Sequence, residues 1–282
     1  MELWYALVEL LPFEWAQPDS MYFMKNALLA ILVISPLFGL LSTMVVESRM
    51  SFFSDALGHS AFTGIAIGSL CGLAEPMWCA VVFAVIFAVL FTYVRRHTNL
   101  ASDTVIGVFS STAVALGIFI ATLGGGSFTK FNALLVGDIL SVEPGKIGLL
   151  AAILLVVVVL WVCSFNQLML ASVHPALADS RGIRVFWQES LFAAAIAVVV
   201  TVSMTWVGLL VINSLLVLPA AAGRNLARNL RQYHLFSVVG ALAAGIAGLL
   251  TSYQVGASTG ACITLYLAIY FALTFCFRTR RM

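Results

Sequence analysis

Residues 47–72 read ESRMSFFSDALGHSAFTGIAIGSLCG, and they set an acid, Asp55, and a histidine, His59, into an otherwise apolar run. A spacing of four puts both side chains on one helix face, one turn apart. A carboxylate oxygen and an imidazole nitrogen can then converge on one ion. Further along, Gly64, Gly68 and Gly72 recur at the same interval. Glycines so spaced clear a stripe of side chains and admit a neighbouring helix, a packing device of membrane bundles. The stretch predicts a ligand pair followed by a packing stripe.

Outward from it the chain stays apolar. Of 282 residues, 62% are hydrophobic and 9% charged, and the mean hydropathy is +1.07; a soluble domain carries about a quarter charged residues. The composition predicts an integral membrane protein of the all-α class, a polytopic helical bundle with eight or nine spans of roughly 20 residues each. A net charge of +2 gives no reason to expect nucleic acid. The five cysteines sit singly with no C-x-x-C pair, so they read as small buried apolar residues with no disulfide or metal role. Residues 1–21 carry Glu2, Glu9, Glu14 and Asp19 where a signal peptide would be basic, with Trp4, Tyr5 and Trp15 among them. They read as a retained segment lying at the membrane interface. Residues 22–282 are expected to form one transmembrane domain.

The expected spans are about 22–46, 52–73, 77–94, 103–123, 146–163, 191–205, 207–222, 235–250 and 257–277. The path of 127–145 stays open, because its apolar core is too short for a full span. The span at 207–222 contains Asn213, Ser214 and Pro219 and is expected to be either continuous or broken and re-entrant. Arginines cluster at 95–96, 181–184, 224–231 and 278–281. Under the positive-inside rule those ends face the cytoplasm, giving an outside N-terminus and a cytoplasmic C-terminus.

The polar residues each allow two readings. Asp55 and His59 either cap and pack a helix near the cytoplasmic surface or form a cation site or gate, because intramembrane ionisable groups are costly and mark substrate paths. His97, His174 and His234 lie beside arginines at expected cytoplasmic ends, leaving His59 as the histidine within the bilayer. Asp103 is either a first-turn acid favoured by the helix dipole or a further ligand. Asn213 either bonds a neighbouring helix or lines the path. Asp138 and Glu143 read as loop acids, and Glu189 as an interfacial charge paired with Arg184. In residues 172–184 a short helix from His174 to Ser180, with Pro175 in its first turn and Gly182 as its stop, is either a solvated loop or a helix that docks into a cytoplasmic partner. No phosphate-cradling loop occurs, so any ATP is handled by another chain.

Four stretches together, SPLFGLLSTMVVESRMSFFSDALGHSAFTGIAIG, SDTVIGVFSSTAVALG, HPALADSRGI and TWVGLLVINSLLVLPAAAGRNLA, occur in that order over roughly residues 35–230. They resemble the permease subunits of bacterial metal-ion ABC importers for zinc, manganese or iron. The resemblance implies a multi-pass protein of the bacterial inner membrane working as a homodimer, with cytoplasmic ATPase subunits and an extracellular or periplasmic metal-binding protein. It implies that Asp55 and His59 fall on the family's acid and histidine, and that His174, Pro175, Ala178 and Gly182 belong to a coupling helix. Gly58, Thr63 and Asn166 depart from the family pattern, with consequences for metal preference.

The resulting expectation is a transport subunit, not an enzyme, that passes Zn²⁺ or Mn²⁺ and holds no permanent cofactor. Two protein ligands are fewer than a closed structural zinc site uses, which suits release, and Asn213 is a candidate for a third. The alternatives are an ABC permease for a chelated metal or vitamin, and a proton-coupled secondary metal transporter.

Overall fold

A computed structural model describes residues 2–9, 12, 14–17, 21–123, 137 and 139–278. The segment 124–136 and Asp138, together with most of the stretch whose path the sequence leaves open, lie outside the described residues. The helices are α1 (Glu2–Val8), α2 (Tyr22–Glu47), α3 (Phe53–Leu70), α4 (Pro76–His97), α5 (Ser102–Leu123) and α6 (Pro144–Val173). They are followed by α7 (Pro175–Ser180), α8 (Val185–Val207), α9 (Leu209–Leu226), α10 (Leu230–Val255) and α11 (Thr259–Arg278). Helix is the form in which an apolar chain satisfies every backbone group within lipid.

Eight of these helices are long and apolar enough to cross a membrane. The ninth long helix, α3, is not among them: Asp55, His59 and its serines and glycines lower its hydropathy, and its neighbours bury it instead. It runs against α4 and α5, and Phe53 stacks on Phe91 with ring centroids 4.6 Å apart.

Where an added Cβ would stand at Gly64, the backbone Cα of Ala80 is only 2.5 Å away, and at Gly68 the Cα of Pro76 is 3.0 Å away. These two glycines are the packing stripe. Gly72 is not part of it. It lies past the helix end with φ +69° and no atom within 4 Å of an added Cβ. Its role is the left-handed turn into α4 that a side chain resists.

The bundle has two groups. One packs α3, α4, α5 and α8 together; the other packs α2, α9, α10 and α11. Helix α6 bridges them through α2 and α8. Between α8 and α9 the chain passes from one group to the other through a single residue, Gly208, at φ 87° and ψ 147°. Of the two readings of the span at 207–222, the continuous one holds from Leu209 onward. Pro219 sits inside an unbroken α9, and the discontinuity is at Gly208.

The first segment is held by side-chain bonds. Lys25 is fully buried, with its Nζ 3.2 Å from Glu9 Oε1 and donating to the Gln17 carbonyl at 3.0 Å. Trp4 Nε1 donates to the Lys25 carbonyl and the Tyr5 hydroxyl to Asn26 Oδ1. A charge within this apolar setting persists because it is paired and hydrogen-bonded.

Candidate metal-binding site

Helix α3 presents Asp55 and His59 on one face, as the four-residue spacing requires. His59 Nε2 is 3.4 Å from Asp55 Oδ2, and the two side chains are 25% and 43% exposed. From the other helix group, Asn213 on α9 donates through Nδ2 to Asp55 Oδ1 at 3.1 Å. Its own Oδ1 is buried with no hydrogen-bond partner. The carboxylate, imidazole and amide thus meet at the seam between the two groups.

Close packing beside the pair makes this meeting possible. An added Cβ on Gly58 would stand 2.4 Å from a δ-carbon of Leu209, at the start of α9, so the bare residue before His59 lets α9 come near. Thr63, one turn beyond His59, donates to the Ala113 carbonyl at 2.6 Å and ties α3 to α5. These two of the three departures from the family pattern are packing features.

Depth follows from the helix register. Glu47 pairs with Arg224 at 3.7 Å and Arg95 with Glu189 at 2.9 Å, so the ends of α2, α4 and α9 and the start of α8 share one charged level. Asn213 stands eleven residues before Arg224 on α9, about 16 Å at 1.5 Å per residue, in an apolar layer about 30 Å thick. Phe53 stacks on Phe91, one turn above Arg95. Helix α3 therefore begins about one turn from that charged level, and the hydrogen bond from Asn213 holds Asp55 further along the bundle than Glu47, which it follows by only eight residues.

The remaining candidates fall elsewhere. Asp103 is exposed in the first turn of α5, and among the described residues no group of three or more His, Cys, Asp or Glu side chains converges. Helix α7 runs from Pro175 to Ser180, with exposed His174 at its start and Gly182 at φ +74° after it. Ala178 points inward and packs on Ala171 and Val185. The outward apolar residue of this helix is Leu177, which the motif does not single out.

Three expectations are corrected. None of the five cysteines is buried: Cys71, Cys163 and Cys276 are exposed and Cys79 and Cys262 half-buried. Glu189 pairs with Arg95, not Arg184. His234 is not a loop residue: its ring packs against Trp161, Phe165 and Tyr233, and Nδ1 lies 2.9 Å from the Thr43 hydroxyl. Because the Thr43 hydroxyl donates to the Leu40 carbonyl at 2.7 Å, it accepts from His234.

A family model, the ABC 3 transport family, matches residues 20–278. The chain belongs to the ABC 3 transport family. Within reach of this family's members, it is 32% identical over 262 residues to the manganese import system permease protein ScaB of Streptococcus parasanguinis, covering 91% of each chain. It is 27% identical to the high-affinity zinc uptake system membrane protein ZnuB of Haemophilus influenzae, over 90% of this chain and 97% of that one. Among solved structures, PsaBC from Streptococcus pneumoniae in complex with Fab superposes with a TM-score of 0.77 at 27% identity, covering 98% of this chain and 95% of that one. As a member of an ABC transport family the chain is a multi-pass membrane transport subunit and not a proton-driven carrier.

Proposed function

We propose that this chain is the permease through which a bacterial ABC importer passes Mn²⁺ or Zn²⁺ into the cytoplasm, with Asp55 and His59 as transient ligands. The observation that carries the reading is the meeting of Asp55 and His59 on α3 with Asn213 on α9, eleven residues along that helix from Arg224. Ionisable groups set among membrane-spanning helices are costly and tend to mark a substrate path. The relatives named for manganese import and zinc uptake supply the cargo class.

The donor set fits a divalent transition metal. Imidazole and carboxylate suit zinc, while manganese favours more oxygen donors; the free Oδ1 of Asn213 adds one oxygen. Three donors from one chain leave the coordination incomplete, and the pair is partly exposed on α3. A second copy facing it supplies further ligands, which supports a homodimer. An incompletely enclosed ion is also one that leaves.

The charged end bears Arg49, Arg95, Arg96, Arg181, Arg184, Arg224, Arg228 and Arg231 along with α7, and is the cytoplasmic end by the positive-inside rule. The C-terminal end of α11 reaches the same level, where Thr274 lies 3.4 Å from Asn225. ATPase subunits dock at α7, and a metal-binding protein delivers at the opposite end. The test is uptake of radioactive manganese and zinc by cells expressing the complete system with Asp55→Ala or His59→Ala. Loss of uptake at normal membrane abundance is expected; normal transport by both variants would sink the assignment.

A further inference from the structure

The charged end holds a junction that the importer reading leaves unused. Arg95, in the last turn of α4, is 2.9 Å from Glu189 on α8 through Nη2 and donates through Nη1 to the Ser48 carbonyl at 3.3 Å. The two side chains are only 13% and 20% exposed. The same guanidinium lies over the Phe91 ring, 5.9 Å from its centroid, and Phe91 stacks on Phe53. One cation therefore touches α8, the turn leading into α3, and the aromatic stack on which α3 begins.

The two ends of this junction are the functional ones. Glu189 is one turn beyond Val185, whose side chain packs with Ala178 of α7 and Ala171 of α6. Phe53 is two residues before Asp55. The path from α7 to Asp55 alternates contacts with helix: Ala178 packs on Val185, α8 carries Val185 to Glu189, Glu189 meets Arg95, Arg95 meets Ser48 and Phe91, Phe91 stacks on Phe53, and α3 carries Phe53 to Asp55. Two hydroxyls flank the path, Ser54 next to Asp55's own position and Ser190 next to Glu189. Both are buried with no hydrogen-bond partner. Buried polar groups are ordinarily satisfied, and unmade bonds beside a charged joint fit a part of the protein with a second arrangement.

We propose that the Arg95–Glu189 ion pair is the positioning link that transmits movement of α7 to the Asp55–His59 pair. The proposal rests on the importer reading for the roles of the two ends, but the link itself is defined by contacts. Arginine suits the task because its planar guanidinium lies on the Phe91 ring while its edge faces Glu189 and donates to the Ser48 carbonyl, whereas a lysine supplies a point charge. A coupling claim needs an element whose equilibrium both ends bias; here that element is the start of α3.

The experiment uses the assembled permease and ATPase in lipid, in a background where the five cysteines are serine and transport persists. Nitroxide labels are placed at Phe52→Cys and Val255→Cys, exposed positions at opposite ends of the bundle. Their distance is measured by pulsed electron resonance before and after trapping with ATP and vanadate. In the parent a shift on trapping is expected. In Glu189→Gln and Arg95→Gln the shift disappears and metal uptake falls tenfold or more, while ATP hydrolysis stays within about twofold. The reversed pair, Arg95→Glu with Glu189→Arg, regains the shift and at least part of the uptake. No shift in the parent, a shift that survives either single substitution, hydrolysis lost in parallel with uptake, or a reversed pair no better than the singles overturns the link. Failure of the metal reading shows separately, as normal uptake by Asp55→Ala.

Discussion

Replacing Gly64 by alanine tests whether the position of α3 is set by backbone contact. An ideal Cβ at Gly64 falls 2.5 Å from Ala80 Cα, and 3.1 Å from both Ala80 N and the Cys79 carbonyl oxygen. Carbon atoms pack best at about 3.5–4.0 Å, so α3 and α4 must part by about 1 Å. All three obstructing atoms are backbone, and none can rotate away. Overpacking of this kind costs about 1–3 kcal/mol. Gly107 in α5 has nothing within 4 Å of an added Cβ, so Gly107→Ala gains about 0.5–1 kcal/mol from helix propensity. Reversible unfolding in mixed detergent micelles, followed by circular dichroism, measures the difference between the two variants. Gly64→Ala also moves the helix that carries Asp55 and His59, so its metal uptake falls while that of Gly107→Ala does not. Equal stability of the two variants, within about 0.5 kcal/mol, would refute the argument.

Asn213→Ala removes a hydrogen bond to a carboxylate, worth about 1.5–3 kcal/mol, and uptake at low metal concentration is expected to fall about tenfold or more; uptake unchanged across the concentration range removes Asn213 from the site. Glu9→Ala leaves the fully buried Lys25 ammonium without its counter-charge and destabilises more than Lys25→Met, by up to about 3 kcal/mol; the reverse order in thermal unfolding contradicts the account of that anchor. Gly182→Ala forces a side chain onto φ +74° at a cost of about 1–2 kcal/mol, and is expected to weaken co-purification of the ATPase while equilibrium metal binding to the permease persists.

The helices and the four-residue site spacing were legible because both depend on local order along the chain. Apolar runs marked the long helices, and Pro175 with Gly182 bracketed α7. Partnerships across the bundle were not. Glu189 had Arg184 as a near neighbour in sequence, yet its partner is Arg95, brought in by the packing of α4 on α8. His234 sits three residues after Arg231 and reads as a loop residue, but α10 begins at Leu230 and turns its ring toward α6. Gly72 repeats the four-residue interval by position alone, since the helix has ended at Leu70. How far Asp55 lies from the helix ends was not legible either, because it is set by how α3 packs against α4 and α9.

Gly208 gives the two helix groups a lever. Arg224 is sixteen residues along α9 from this joint, about 24 Å, and Asn213 is five, about 7.5 Å. A 10° rotation of α9 about Gly208 would sweep its charged end through about 4 Å but displace Asn213 by only about 1.3 Å. The ratio is about threefold, with the joint nearer Asn213 than Arg224. A displacement of that size at Asn213 is enough to break its 3.1 Å hydrogen bond to Asp55, so a movement at the charged end would be felt, at reduced amplitude, at the carboxylate.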